Sequence, residues 1–133
     1  MSRKVKKSDA DWLAQLGPQR FTVLRRAGTE PPFTGKYGNT ETPGTYVCAG
    51  CRTPLYRSST KFHSGCGWPS FFDDMGGDVI EVVVDRSHGT LREEIRCRAC
   101  GGHLGHVFDD GPPPTGRRHC VNSASVILVP DSD

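Results

Sequence analysis

The chain has 133 residues, the length of a single domain, and only 35% of them are hydrophobic, so its core is small. Sixteen glycines and ten prolines favour many turns and exclude long helical bundles and coiled coils. The net charge of +2 comes from 17 basic and 15 acidic residues spread along the chain, which argues against nucleic acid or an anionic membrane as a partner.

The sequence carries no address for export or for a membrane. No apolar run approaches the ~18 residues of a membrane span, and residues 1–7 are not followed by an apolar signal core. We therefore expect a cytoplasmic protein, with a monomer as the default state. Six cysteines stand out in such a protein because the cytoplasm keeps structural disulfides reduced. Metal binding or redox chemistry is the leading interpretation.

Residues 8–27 carry most of the helical signal, after a flexible tail at residues 1–7. Ser8 is a suitable N-cap for a first helix that Gly17 ends, and Pro18 suits the first turn of a second helix. We expect these two short helices to pack over a sheet.

From residue 31 to residue 129 the chain consists of short β-forming runs separated by Gly, Pro, Asn and Asp, a pattern typical of antiparallel strands. The clearest runs predict strands at residues 45–48, 79–85, 90–96, 103–108 and 120–129. Ser87, His88 and Gly89 would close a hairpin between the second and third of these strands. The pattern predicts one mainly β domain over residues 1–133, with an N-terminal helical segment.

Four cysteines form two C-x-x-C motifs, Cys48 with Cys51 and Cys97 with Cys100. Two such motifs can supply the four thiolates of a tetrahedral Zn²⁺ site. The 45 residues between the motifs exceed the roughly 15–20 of a compact zinc ribbon. We therefore expect the motifs to lie on separate hairpins that a structural zinc ion holds together.

Other roles for these motifs remain open. Two disulfides are disfavoured by the reducing compartment, and a thioredoxin-like dithiol is disfavoured because a helix follows neither motif. A catalytic zinc is less favoured than a structural one because the deaminase H-x-E signature is absent.

Cys120 is a candidate nucleophile. Arg117, Arg118 and His119 precede it, and such cationic neighbours would favour the thiolate and lower the pKa of the thiol. Strand alternation places Asn122 on the same face as Cys120.

Cys66 lies between two glycines and two residues before Trp68, so it can move in a flexible loop beside a large apolar surface. The alternative for both Cys66 and Cys120 is a role as a small buried hydrophobic residue. His103 and His106 are candidate acid–base or water-positioning groups, and Asp110 is a candidate to orient one of them.

Several segments of the chain resemble the B-type peptide-methionine (R)-S-oxide reductases. These segments are residues 28–35, 61–71 and 103–108, and the stretch from Asp110 to Asn122. The likeness runs in unbroken order from about Phe21 to Val129. It implies a catalytic domain of two antiparallel sheets in a barrel-like arrangement, with a structural zinc bound by the two C-x-x-C motifs.

The resemblance also implies roles for individual residues. Cys120 matches the family nucleophile, and Cys66 matches the cysteine that recycles it. Trp68 matches the residue that packs on the sulfoxide methyl group. The polar groups around the sulfoxide oxygen and its water match His103, His106 and Asn122. Phe71, Asp110 and Arg118 complete the expected substrate-binding set.

One position departs from the family pattern, since His119 stands where Tyr or Phe is more common. Strand alternation points this side chain away from Cys120, so we expect the chemistry to survive.

The implied reaction is the reduction of methionine-(R)-sulfoxide in oxidised proteins or peptides through a Cys120 sulfenic acid. Cys66 would then form a disulfide with Cys120, and a thioredoxin-type donor would reduce it. Two alternatives are a zinc-stabilised module that binds a ligand at Trp68 without chemistry, and a zinc ribbon for nucleic acid. The balanced charge disfavours the ribbon.

Overall fold

Two N-terminal helices cover one side of the protein. The computed structural model describes residues 5–31, 35–38, 40–86, 89 and 91–131. The helices are α1 (Asp9–Leu16) and α2 (Pro18–Arg26). The first begins where Ser8 Oγ accepts a hydrogen bond of 3.1 Å from the backbone N–H of Asp11, and it ends at Gly17, which has a φ of 83°. The predicted helical segment is confirmed.

The helices attach to the sheets through a few buried side chains. Trp12 and Leu24 are 1% and 2% exposed and belong to the core. Arg20 donates hydrogen bonds of 3.0 Å to the carbonyl oxygens of Ala124 and Val126. No helix in the described part of the chain has the length and apolar character needed to cross a bilayer.

Nine strands form in the described part of the chain. They are β1 (Gly44–Cys48), β2 (Pro54–Arg57), β3 (Lys61–Phe62), β4 (Ser70–Phe71), β5 (Ile80–Asp85), β6 (Arg92–Cys97), β7 (His103–Phe108), β8 (Arg118–Val121) and β9 (Val126–Pro130). Two 3₁₀ turns, Ser58–Thr60 and Ser123–Ser125, lie between strands. Ser87 and His88 of the predicted hairpin lie outside the described residues.

The strands form two antiparallel sheets, as predicted. The small sheet has the order β2-β1-β9, and the large sheet has the order β3-β4-β8-β7-β6-β5. The large sheet begins at β3 and ends at β5, so among the described residues it is open rather than a closed barrel. The mainly β class is confirmed.

The predicted strand at residues 120–129 is divided in two. Its first part is β8 in the large sheet and its second part is β9 in the small sheet, with the turn Ser123–Ser125 between them. The Glu30 carboxylate accepts the backbone N–H groups of Ser123 and Ala124 at 2.9 and 3.0 Å. In a continuous strand these N–H groups would need hydrogen-bond acceptors on a neighbouring strand. Here the Glu30 side chain supplies the acceptors instead.

Aromatic rings fill the core. The Phe71 ring stacks on Tyr56 at 4.4 Å and meets Tyr46 edge to face at 5.1 Å. All three side chains are 0% exposed. Because Tyr46 and Tyr56 come from the small sheet and Phe71 comes from the large one, this cluster joins the two sheets.

Candidate active site and metal centre

Two cysteines from distant parts of the chain meet at one cavity. Cys120 lies on β8 opposite His106 of β7, and Cys66 lies in the loop between β3 and β4. Their Sγ atoms are 3.1 Å apart, and both are free thiols. The cavity beside them has a volume of about 320 Å³, and Trp68, His106 and Asn122 form part of its wall.

Three glycines allow the two sulfurs to approach. A Cβ atom on residue 105 would lie 1.8 Å from the carbonyl oxygen of Cys120, so only glycine lets β7 and β8 pair at this point. Gly65 and Gly67, on either side of Cys66, have φ angles of 80° and 92°, which other residues rarely adopt. The backbone can therefore turn sharply on both sides of Cys66.

The thiols of Cys66 and Cys120 have different pKa values. Burial raises the pKa of Cys120 to about 12, and the neighbouring Cys66 sulfur adds to this increase. Burial alone would also raise the pKa of Cys66, but hydrogen bonds with Ser64, Ser70 and Cys120 outweigh it and lower this pKa to about 7. The first proton to leave the pair therefore comes from Cys66.

This difference corrects the prediction that cationic neighbours lower the pKa of Cys120. Arg118 does approach, with Nη1 2.8 Å from the Cys120 Sγ atom, and its charge acts in the predicted direction. Burial and the Cys66 sulfur are stronger effects. Arg117 is directed to Glu93, with a closest N–O distance of 3.7 Å.

Each histidine of the predicted pair has its own carboxylate. His106, which lines the cavity, shares a 2.8 Å hydrogen bond with Asp85 through Nε2, and burial lowers its pKa. His103 shares a 2.7 Å hydrogen bond with Glu94 through Nδ1 and packs against His106 with ring centroids 5.6 Å apart. Asp110 does not orient either ring, because it binds the Arg118 guanidinium at 2.9 and 3.1 Å.

The carboxylate of Glu94 is held in its charged form. Burial by itself would raise the pKa of this group, but hydrogen bonds from His103 and Arg96 lower it to about 2. A permanently charged Glu94 keeps a hydrogen on the Nδ1 atom of His103. The Nε2 atom of His103 is buried and has no hydrogen-bond partner among the described residues.

Glu30 connects Trp68 with Asn122. Its carbonyl oxygen accepts the Trp68 indole N–H at 2.9 Å, and its backbone N–H donates to Asn122 Oδ1 at 3.0 Å. The amide of Asn122 donates in turn to the Leu104 carbonyl at 3.1 Å. Glu30 is 4% exposed, and its carboxylate binds the turn after Asn122, as described above. One buried residue therefore positions two residues of the cavity wall.

Phe71 lies in the core rather than on the cavity wall. On β4 it pairs with His119, whereas its neighbour Ser70 pairs with Cys120. Since alternate residues of a strand face opposite sides, Ser70 faces the site and Phe71 faces the aromatic core. The predicted substrate-binding role of Phe71 is therefore replaced by a packing role.

His119 points away from Cys120, as strand alternation predicts. Its Nδ1 atom shares a 2.9 Å hydrogen bond with the Tyr56 hydroxyl, and the ring is 5% exposed. Burial lowers the pKa of His119, which favours the neutral ring within the core.

The other four cysteines form a cluster that can hold a metal ion. The Sγ atoms of Cys48, Cys51, Cys97 and Cys100 all lie within 4.8 Å of one another. The Sγ–Sγ distance is 3.6 Å between Cys48 and Cys100 and 3.5 Å between Cys51 and Cys97. A tetrahedral ion with Zn–S bonds of about 2.3 Å separates its sulfur ligands by about 3.8 Å, so the cluster has suitable dimensions.

The cluster joins the two sheets. Cys48 ends β1 of the small sheet, and Cys97 ends β6 of the large sheet. The hydrogen bond with Cys100 is the largest of several effects that raise the pKa of the Cys48 thiol far above its ordinary value. Four thiols at these distances need a cation in order to ionise together.

Comparison with known proteins gives a consistent result. Residues 16–130 match the SelR domain family. A peptide methionine sulfoxide reductase MsrB from Methylibium petroleiphilum is 56% identical over 96% of this chain and 93% of its own length. This chain belongs to the MsrB family. Relatives of the same name from Agrobacterium fabrum and Pseudomonas fluorescens are 54% and 51% identical, over 97% and 96% of this chain and 96% and 97% of their own lengths.

Several residues around the site of this MsrB family member were not predicted from its sequence. Glu30, Asp85 and Glu94 hold other residues of the site, and Ser70 lies beside both sulfurs. Ser70 was missed because the sequence pattern does not predict the two-residue strand Ser70–Phe71, on which the two side chains face opposite sides. The partners of the three carboxylates become visible only in the folded protein.

Proposed function

We propose that the protein reduces methionine-(R)-sulfoxide in oxidised proteins and peptides to methionine, with a thioredoxin-type dithiol as the final reductant. The observation that carries this proposal is the 3.1 Å contact between the Cys66 and Cys120 sulfurs beside the cavity that Trp68 and His106 line. The reductase name of the matched relatives supports it.

In this proposal the cavity holds the oxidised side chain against Trp68. The indole ring provides an apolar surface for the terminal methyl group, while its N–H group is already bonded to Glu30. With the methyl group held on one side, the sulfoxide oxygen faces the polar groups of His106 and Asn122. A site with an apolar wall and a polar wall distinguishes the two configurations at the chiral sulfur.

The first half of the reaction transfers the sulfoxide oxygen to Cys120. The Cys120 thiolate forms a bond to the sulfoxide sulfur while the oxygen takes a proton from the protonated form of His106, which the hydrogen bond with Asp85 favours. The oxygen then moves to the Cys120 sulfur while the original S–O bond and the new S–S bond both break, so that Cys120 becomes a sulfenic acid and methionine leaves. The methionine sulfur gains the two electrons that Cys120 loses. Arg118, at 2.8 Å, stabilises the attacking thiolate.

The second half regenerates the enzyme. The Cys66 sulfur attacks the Cys120 sulfenic acid, so that a disulfide forms and water leaves. A thioredoxin-type dithiol then reduces this disulfide by thiol–disulfide exchange and becomes oxidised itself. The exposed loop around Cys66 gives such a partner access to the disulfide.

The metal centre has a structural role in this proposal, with Zn²⁺ bound by Cys48, Cys51, Cys97 and Cys100. Four thiolate ligands complete a tetrahedral shell and leave no position for substrate. The bound ion supplies cohesion between the two sheets rather than reaction chemistry. Such cohesion suits a chain with a small hydrophobic core.

The deciding experiment incubates the purified protein with dithiothreitol and each sulfoxide epimer separately. We expect loss of the R epimer alone and no activity in Cys120→Ser. In Cys66→Ser we expect one methionine per chain in a single turnover and no turnover with thioredoxin. Loss of neither epimer, as expected of a module that only binds, or full activity of Cys120→Ser, would refute the proposal.

A further inference from the structure

Two serine hydroxyls lie between the two reactive sulfurs. Ser64 Oγ donates to Cys66 Sγ at 3.0 Å and also accepts the backbone N–H of Cys66 at 3.3 Å. Ser70 Oγ is 2.7 Å from Ser64 Oγ, 3.3 Å from Cys66 Sγ and 3.8 Å from Cys120 Sγ. Ser70 is fully buried and lies directly opposite Cys120 in the pairing of β4 with β8.

One assignment of these hydrogen bonds forms a continuous chain. A hydroxyl has one hydrogen, and Ser64 gives its hydrogen to the Cys66 sulfur. In this assignment the hydrogen between the two hydroxyls, which are 2.7 Å apart, comes from Ser70. Ser70 Oγ can then accept from the Cys120 thiol. The carbonyl of Trp68, 3.2 Å from Ser70 Oγ, is an alternative acceptor.

We propose that Ser64 and Ser70 are catalytic residues that carry a proton between the sulfurs of Cys66 and Cys120. This inference rests on the proposed function, because it assigns the serines to the two steps of that reaction. The order of donors runs from Cys120 through Ser70 and Ser64 to Cys66. When each hydroxyl group exchanges its donor and acceptor partners, the order of donors runs from Cys66 through Ser64 and Ser70 to Cys120.

The relay serves the first step by moving a proton inside the site. The thiolate is needed on Cys120, but the pKa values described above leave the first negative charge on Cys66. A shift of one hydrogen along each link converts the Cys66 thiolate into a thiol and the Cys120 thiol into a thiolate. The net charge of the site does not change, and no proton must cross the buried surroundings of Cys120.

The relay serves the second step in the reverse direction. The Cys66 thiol gives its proton to Ser64, Ser64 gives its own to Ser70, and Ser70 protonates the hydroxyl on Cys120. The S–O bond of the sulfenic acid breaks, the S–S bond forms and water leaves. Cys66 loses one proton and the leaving water gains one, so the step needs no external acid or base.

Other ionisable groups also face the two sulfurs and must stay constant in the test. Arg92, His106 and Arg118 line the same cavity from β6, β7 and β8, and Arg118 contacts Cys120 directly. His63 precedes Ser64 but binds Glu41 at 2.9 Å on the surface. The variants below leave all of these side chains in place.

The test measures disulfide formation as a function of pH after rapid mixing with one equivalent of methionine-(R)-sulfoxide. In Ser64→Ala and Ser70→Ala we expect about tenfold slower disulfide formation, as expected when a proton-transfer group is lost. The midpoint of the pH profile should move above that of the wild-type protein, because the hydroxyls lower the pKa of Cys66.

Two further variants separate the relay from a structural effect. Ser64 is exposed, so Ser64→Thr keeps the hydroxyl with room for a methyl group, and we expect it to restore the rate and the midpoint. Ser58→Ala removes a hydroxyl that binds the backbone N–H of Gly44, and we expect wild-type kinetics. Unchanged rates and midpoints in both alanine variants, or a Ser64→Thr as slow as Ser64→Ala, would overturn the relay.

A second oxidant makes it possible to test the relay independently of the proposed function. Hydrogen peroxide oxidises a thiolate to a sulfenic acid without any sulfoxide. If the wild-type protein forms the disulfide with peroxide but reduces neither sulfoxide epimer, the proposed function fails. The serine variants then still test the relay, by the same rates and midpoints.

Discussion

The Arg118 guanidinium bridges Cys120, the proposed nucleophile, and a surface carboxylate. Its Nη1 atom lies 2.8 Å from Cys120 Sγ, and its Nε and Nη2 atoms bind the two oxygens of Asp110 at 2.9 and 3.1 Å. The hydrogen bonds with Asp110 raise the pKa of Arg118, so the side chain stays charged. A fixed positive charge therefore stands beside a buried sulfur that must ionise.

Replacing Arg118 should slow the first step of the reaction. A hydrogen bond to a charged group is worth about 1.5–3 kcal/mol, so Arg118→Met should reduce single-turnover methionine formation at neutral pH by about 10- to 100-fold. Rapid-quench measurement of methionine gives this rate. Arg117→Met is the matched control, since Arg117 is directed to Glu93. Equal rates in the two variants would show that Arg118 does not assist ionisation.

Removing Cys66 should make Cys120 easier to ionise. The Cys66 sulfur raises the pKa of the Cys120 thiol through a hydrogen bond and through its charge. Without it the thiolate of Cys120 forms at lower pH, so the pH profile for alkylation of Cys120 in Cys66→Ala should move to lower pH. Alkylation by iodoacetamide, followed by mass spectrometry, measures this midpoint. A midpoint at higher pH would contradict the assigned sign.

Glu30→Gln should affect both stability and substrate binding. A glutamine offers only one acceptor oxygen, so one of the N–H groups of Ser123 and Ala124 would face an NH₂ group instead of a carboxylate oxygen. We expect the free energy of unfolding to fall by about 2 kcal/mol. KM should rise because residue 30, whose backbone groups hold Trp68 and Asn122, loses one of the two side-chain hydrogen bonds that anchor it to the turn after Asn122. Denaturant unfolding and steady-state kinetics measure both effects, with the exposed Glu41→Gln as control.

Phe71 and Trp68 should respond differently to substitution. Phe71→Leu leaves a small cavity between the tyrosine rings, so it should lower the free energy of unfolding by about 1–2 kcal/mol and leave KM unchanged. Trp68→Leu should raise KM severalfold with a smaller change in stability, since Trp68 lines the cavity. A KM effect from Phe71→Leu would restore this residue to the substrate-binding set.

The metal centre should be required for folding. Structural zinc sites contribute on the order of 10 kcal/mol, which is comparable with the total stability of a small domain. We expect one zinc ion per wild-type chain, and a Cys97→Ser protein that lacks both metal and a cooperative thermal transition. Elemental analysis and circular dichroism test this. Cys66→Ser should keep its metal, and a metal-free protein that melts cooperatively would contradict the structural role.

Local signals accounted for much of the fold. Ser8 and Gly17 marked the helix ends because capping depends on neighbouring residues. The spacing of the C-x-x-C motifs predicted a cluster that joins two separate hairpins. The two C-x-x-C motifs account for four of the six cysteines, so the sequence alone separated Cys66 and Cys120 from the metal cluster. The pairing of Cys66 with Cys120 was implied by the family resemblance rather than by local signals, because 53 residues separate them.

The remaining features depend on burial and on distant partners. The arginines before Cys120 suggested a low pKa for its thiol, but burial, which the sequence does not display, dominates. The Glu30 carboxylate binds backbone groups more than 90 residues away. The family resemblance placed Phe71 in the substrate-binding set, although strand alternation on β4 turns it toward the core.

The division of the cysteines also makes the protein easy to assay. With metal bound by the four clustered cysteines, we expect a thiol reagent under native conditions to modify only Cys66 and Cys120 of the six free cysteines. A metal-loaded chain then yields two reactive thiols and a metal-free chain yields six, and an active-site disulfide lowers either number by two. Because the four outcomes differ, one thiol titration reports both the metal content and the redox state of a preparation.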